Sequence, residues 1–291
     1  MDLKRRIQRL CGKRNKASLN RTRPSLSLCE SFIGQAKKIW NLLNDANSFS
    51  LNLREDSITD WNLLELYRMH PLEIIIKTFS SVEEGTVGAD WEWWLNSQDF
   101  WLGFRVQAKK LDYATLKYKQ LDRTNNRGRQ IDLLIESALN DNLIPLYIFY
   151  NYWDVTRFDP EWLCETYNKD IKMLGCGLSY AECIRDILNA GDKNLQAISK
   201  VMYPWSCLVC CRFFSTKEDK NLPNRAFDFI KGAFENKIRD KEKEFPSNKF
   251  ISSEPPSYIS KIMNEKELSK EEQERVKVKR IIIVKEKKSD L

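Results

Sequence analysis

The chain has 291 residues, with 48 Lys and Arg against 41 Asp and Glu and a single histidine, His70. That length supports one large or two small domains burying about 75% of the unfolded surface, so neither disulfides nor metal is needed for stability. One imidazole excludes His-rich zinc hydrolase sites, HNH-type nucleases and two-histidine relays, and no recognisable nucleophile motif accompanies His70 in a triad, so hydrolysis would have to run on carboxylates, amides, lysine and metal.

Residues 1–24 hold nine Lys or Arg and one acid, which leaves the rest of the chain at −1. They read as a basic N-terminal arm, either simply solvated or touching nucleic acid. No apolar segment follows the basic residues and no stretch approaches 18 apolar residues, so a soluble, cytoplasmic protein with no membrane partner is expected. Apolar Phe32, Ile33, Ala36, Ile39, Trp40, Leu42 and Leu43 recur at helical spacing and predict an amphipathic helix over 27–44. A second helix is predicted over 55–66, with Asp56 or Ser57 as N-cap and Ile58, Trp61 and Leu64 on its apolar side. The β-branched run at 73–79 predicts a strand, with a short buried helix as the alternative.

Two aromatic-rich runs, Gly88 to Leu95 and Phe100 to Lys109, flank a polar turn and predict a β-hairpin. One face carries Trp91, Trp93, Leu95, Phe100, Leu102, Phe104, Val106 and Ala108; the other carries Asp90, Glu92, Trp94, Trp101, Gly103, Arg105, Gln107 and Lys109. Pairing Leu95 with Phe100 sets Asp90 across from Arg105 and diagonally from Gln107, at about 7–8 Å. Glu92 can serve Asp90 as a neighbour or pair with Arg105. Trp94 and Trp101 can stack on a base, or pack on each other or under a helix.

A basic loop leads to a helix predicted over 130–139, and the apolar run 144–153 predicts a strand covered on both faces. Beyond these the sequence predicts a helix over 179–188, a strand over 205–214 and a helix over 224–236. From residue 237 the chain reads as a charged tail, with 276–284 able to form a strand or to pair with another chain. The eight cysteines lack paired metal-ligand spacing and read as reduced, buried thiols.

A carboxylate and an amide carbonyl are hard oxygen donors of the kind Mg2+ accepts while keeping several waters, and a lysine two residues along projects from the same face. Gly88-Ala89-Asp90 followed by Gln107-Ala108-Lys109, in the order helix, three strands, helix, strand, resembles the restriction-endonuclease-like, or PD-(D/E)XK, nuclease superfamily. More narrowly it resembles the Mrr-type variant with a QxK half-motif. The resemblance covers about residues 55–153. It implies an α/β fold with an αβββαβ core, a mixed sheet and added helices, within a nuclease-like domain over 25–236. It further implies a Mg2+- or Mn2+-dependent endonuclease acting on DNA, with a role against foreign DNA. Asp90, Gln107 and Lys109 are its implied catalytic residues, with Asp90 and the Gln107 carbonyl as metal ligands and Lys109 placing the attacking water. Glu55 is the implied further ligand, with Asp56 and Asp60 as competitors. Arg105 and Gln130 are the candidates to touch nucleic acid, although a plain helix-start position is the favoured reading of Gln130. No Pro precedes Asp90, and Gln107 in place of an acid removes one negative charge from the site. An RNA-directed nuclease and a non-catalytic subunit binding nucleic acid, a protein partner or a second copy are the alternatives.

Overall fold

Ser27 and Glu30 form a capping box that starts the first helix, α1, at Leu28–Ser48, because each side chain accepts a backbone N–H of the helix's first turn. The structure, a computed structural model, describes residues 26–79, 87–211, 214, 221–238 and 250–287. The basic arm expected over 1–24 lies outside them. α1 runs four residues beyond its predicted end and buries Phe32, Ala36, Ile39 and Trp40. α2 spans Glu55–Met69, with Arg54 at the N-cap position, so Asp56 lies in the first turn and does not cap. Strand β1 follows at Ile74–Thr78.

The hairpin forms as β2 (Trp91–Ser97) and β3 (Phe100–Lys110). Its turn is tighter than predicted, since Ser97 pairs with Phe100 and Leu95 with Leu102. Gln98 takes a positive φ of 50° to close this two-residue connection. The slip of two residues keeps every side chain on its predicted face, because strand alternation has period two. It moves Arg105 opposite Glu92, away from the expected position across from Asp90.

Helix α3 occupies Gln130–Asn140 and strand β4 Ile144–Tyr150. The next prediction needs correcting: 179–188 divides into strand β5 (Cys176–Tyr180) and helix α4 (Ala181–Asn189). The strand expected over 205–214 does not form over the described residues of that range. A two-residue strand, β6 (Tyr203–Pro204), precedes a single helical turn at Cys207–Cys210. A short apolar run fits a buried helix as well as a strand, and here tertiary packing chose the helix. Helix α5 spans Leu222–Phe234, capped by the Asn221 side chain.

The charged tail also needs correcting. It contains helices at Ser257–Met263 and Lys270–Arg275 and ends in strand β7, Arg280–Lys285. β7 lies between β1 and β2, antiparallel to the first and parallel to the second. The sheet order is β1-β7-β2-β3-β4-β5-β6, and β3 and β4 are also parallel. The protein is thus α/β with a mixed sheet, and its core order is interrupted in space by a strand from the far end of the chain.

Both faces of the sheet are covered. Trp91, Trp93, Phe104, Val106, Ile282 and Val284 belong to the larger core, under α1, α2 and α5. Trp94, Trp101, Ile281 and Ile283 belong to a smaller one closed by Ile259 and Ile262 of the Ser257–Met263 helix. Each fully buried Ile or Val side chain contributes about 1.5–3 kcal/mol, so β7 stabilises both layers at once. Cys29 on α1 and Cys210 form a disulfide, which corrects the expectation of reduced thiols throughout; Cys164, Cys176, Cys183, Cys207 and Cys211 are buried. Among the described residues no helix is long and apolar enough to cross a membrane.

Candidate active site

Gly88 has φ +66°, and a Cβ there would stand 2.3 Å from the Gln130 carbonyl oxygen. Only glycine lets the chain entering β2 press this closely on the start of α3. The contact brings Asp90, at the head of β2, beside the first residue of α3. The Asp90 backbone N–H bonds to the Val106 carbonyl oxygen at 2.9 Å, continuing the hairpin ladder.

The Asp90 carboxylate is held by two donors. Its Oδ2 accepts from Ala108 N at 2.8 Å and from Gln107 Nε2 at 2.6 Å. The Gln107 amide also donates to the Ala108 carbonyl oxygen at 2.9 Å, and its Oε1 accepts from Gln130 Nε2 at 2.8 Å. Gln130 Oε1 in turn accepts from Lys109 Nζ at 2.6 Å. Asp90, Gln107 and Lys109 therefore meet as their shared strand face requires, with Gln130 closing the group. The Gln107 carbonyl, expected to face a metal, is turned to Gln130.

Glu55, first residue of α2, accepts the Lys110 backbone N–H at 2.9 Å through Oε1. It lines the same cleft as Asp90, Gln107, Lys109 and Gln130. Of the competitors for its role, Asp56 also lines the cleft while Asp60 is not part of its wall, and both are paired with basic side chains. Arg280 Nε donates to Asp60 at 2.5 Å and its Nη1 to Asp56 at 3.3 Å, and Lys279 stands 3.6 Å from Asp56. The cleft encloses about 750 Å³, and its remaining wall includes Arg54, Lys110, Arg123, Asn125, Lys277 and Lys279.

Burial pushes the Asp90 carboxyl up to about 6, with repulsion from Asp56 and Glu55 adding to it and the Ala108 N–H and Lys109 opposing it. Burial likewise lowers Lys109, against the attraction of Glu55 and Asp90. The donor set suits a hard divalent cation that keeps several waters: two carboxylates crowding one another's charge and an amide beside them. Among the described residues no cluster of three or more His, Cys, Asp or Glu is arranged to hold a metal ion, so the amide oxygen has to complete any such set.

Arg105 does not serve as predicted. It is 2% exposed and pairs with Glu92 at 2.7 Å, and it also bonds to Asp141 and to the Ser137 carbonyl oxygen. Glu92 further accepts from Trp94 Nε1 and the Tyr258 hydroxyl. A guanidinium enclosed in this network is unavailable to a phosphate. Trp94 and Trp101 are buried under the Ser257–Met263 helix and do not offer a face to a base. Gln130 lies in the cleft, but its amide is spent on Lys109 and Gln107.

Sequence reasoning missed Lys277 and Lys279, which reach the cleft only because β7 enters the sheet beside β2. It also missed Tyr147, in register with Gln107 on β4; its hydroxyl is buried, with no hydrogen-bond partner among the described residues. No local pattern marks either, since both depend on which strands become neighbours.

Residues 28–290 match the model of a family of unknown function (DUF6615), and the chain belongs to that family. No curated protein matches it.

Proposed function

We propose that this protein is a metal-dependent nuclease that hydrolyses phosphodiester bonds of DNA. The observation that supports it best is the convergence of the Asp90 carboxylate, the Gln107 amide and the Lys109 ammonium on one cleft, with Glu55 in its wall. These are the groups that phosphodiester hydrolysis without histidine calls for. Asp90 and Glu55 would hold Mg2+ or Mn2+, with the Gln107 carbonyl as a third oxygen. The ion, when bound, supplies an acidified water and charge neutralisation at the phosphoryl group. Lys109 orients the attacking water and offsets negative charge developing on the phosphoryl oxygens. Arg54, Arg123, Lys277 and Lys279 on the cleft wall attract the polyanionic backbone, so binding weakens as salt rises.

The test is incubation of plasmid DNA, and of labelled RNA in parallel, with protein and Mg2+ or Mn2+. Cleavage of DNA that stops in EDTA and falls by about 10²-fold or more in both Asp90→Ala and Lys109→Ala is the expected result. Cleavage that survives both substitutions removes the site assignment. Preferential cleavage of RNA moves the substrate. Binding without cleavage, unchanged by EDTA and by Asp90→Ala, leaves a non-catalytic nucleic-acid-binding subunit.

A further inference from the structure

Three hydrogen bonds in the cleft run with a single polarity. Lys109 Nζ donates to Gln130 Oε1, Gln130 Nε2 donates to Gln107 Oε1, and Gln107 Nε2 donates to Asp90 Oδ2. A primary amide has a donor end and an acceptor end, an ammonium only donates and a carboxylate only accepts. Two amides joined in this way have two satisfied arrangements, as observed or with both turned by half a rotation. Any mixed state sets two donors or two acceptors face to face in a largely buried place.

The two ends decide which arrangement holds. In the observed one, both the ammonium and the carboxylate are satisfied. In the reversed one, the Gln107 carbonyl oxygen faces the Asp90 carboxylate, which is repulsive unless a cation stands between them. The Gln130 NH2 then faces the Lys109 ammonium, donor against donor, and Lys109 loses its partner on α3. Turning the Gln107 carbonyl toward a metal, as the proposed function requires, therefore has a consequence at the far end of the chain of bonds.

We propose that Gln130 is a positioning residue: with Gln107 it forms an amide relay through which a divalent cation at Asp90 frees Lys109, already in the cleft, from its bond to Gln130. This rests on the nuclease reading and deepens it. Before the cation arrives, the Lys109 ammonium is engaged by Gln130; with the cation in place, it is free to meet the water and the phosphoryl oxygens. Gln130 acts through its two neighbours and need not touch the nucleic acid.

The relay can be read without turnover. Lys109 is labelled by reductive methylation in the absence of nucleic acid, with and without Mg2+, and quantified by peptide mass spectrometry. Lys37 on α1, paired with Asp170 outside the cleft lining, is the internal reference. Mg2+ is expected to raise Lys109 labelling about threefold or more relative to Lys37. Gln130→Leu, which cuts the relay, labels at the high rate without Mg2+. Gln130→Glu, which accepts at both ends, keeps the low rate with Mg2+. Gln130→Leu keeps DNA affinity within about twofold of wild type. The proposal is overturned if wild-type protein cleaves DNA with Mg2+ while Lys109 labelling stays unmoved, or if Gln130→Leu labels like wild type. A loss of DNA affinity with unchanged labelling makes Gln130 a substrate contact, which also overturns it. Mg2+ that neither alters labelling nor supports cleavage of any nucleic acid removes the nuclease reading and the relay together.

Discussion

Asp90 carries a cost that pH exposes. Its carboxyl is pushed up to about 6 from an ordinary 3.8 by burial, so the folded state binds this proton more tightly than the unfolded one. Below about pH 4 both states are protonated and the residue costs nothing; as pH rises toward about 6 the stability falls, and above that it stays lower. Asp90→Asn keeps an acceptor for both N–H donors and removes the charge. It is expected to stabilise the protein by about 1–3 kcal/mol near pH 7.5 and to leave it unchanged near pH 4, as thermal unfolding at the two pH values will show. Equal stability at neutral pH would contradict the buried-charge account. Arg105 behaves in the opposite way. Arg105→Ala strands the buried Glu92 carboxylate and is expected to cost about 3–5 kcal/mol in urea unfolding, whereas pairing Arg105→Met with Glu92→Gln recovers part of the loss. The face holding Asp90, Glu92, Arg105, Gln107 and Lys109 was legible from alternation alone. Which of these side chains would be consumed by one another was not, because a two-residue change of register leaves the faces intact and reassigns every partner.

The strand expected within 276–284 forms as β7, but its place in the sheet lay beyond the sequence reading. Its residues Ile281, Ile282, Ile283 and Val284 are all buried, and a continuous apolar run bounded by Arg280 and Lys285 does say strand. Its place between β1 and β2 depends on a pairing across most of the chain length, which no local signal encodes. Ile282→Ala should therefore cost about 2–5 kcal/mol, as a core truncation does, and chemical unfolding of the full chain measures it. A cost of a few tenths would mean that this strand is peripheral. The Trp205 to Phe214 segment fails for a different reason. Apolar composition without periodicity cannot separate a covered strand from a buried turn of helix, and the strand neighbouring β5 turned out to be only two residues long.

Across the whole molecule, the disulfide between Cys29 and Cys210 spans 181 residues and ties α1 to the chain leaving β6. Closing a loop of that length restricts the unfolded ensemble, worth about 2–5 kcal/mol. Cys29→Ser is expected to lower the unfolding midpoint correspondingly in non-reducing buffer and to match wild type in reducing buffer. A midpoint that falls equally in both would assign the effect to lost packing instead. The ends of the chain thus hold the sheet from both sides: α1 is joined through sulfur to the segment after β6, and Arg280 at the start of β7 is joined through its guanidinium to Asp56 and Asp60 on α2.

Alternation and helical spacing were enough to place α1, α2, the hairpin, α3 and β4, and with them the shared face of Asp90, Gln107 and Lys109, because those patterns report how side chains divide between two surfaces of one element. They carry no information on which distant elements become neighbours. The insertion of β7, the lysines it brings to the cleft, the disulfide and the amide relay through Gln130 all depend on contacts between residues far apart in sequence, and such contacts exist only once the whole chain has packed.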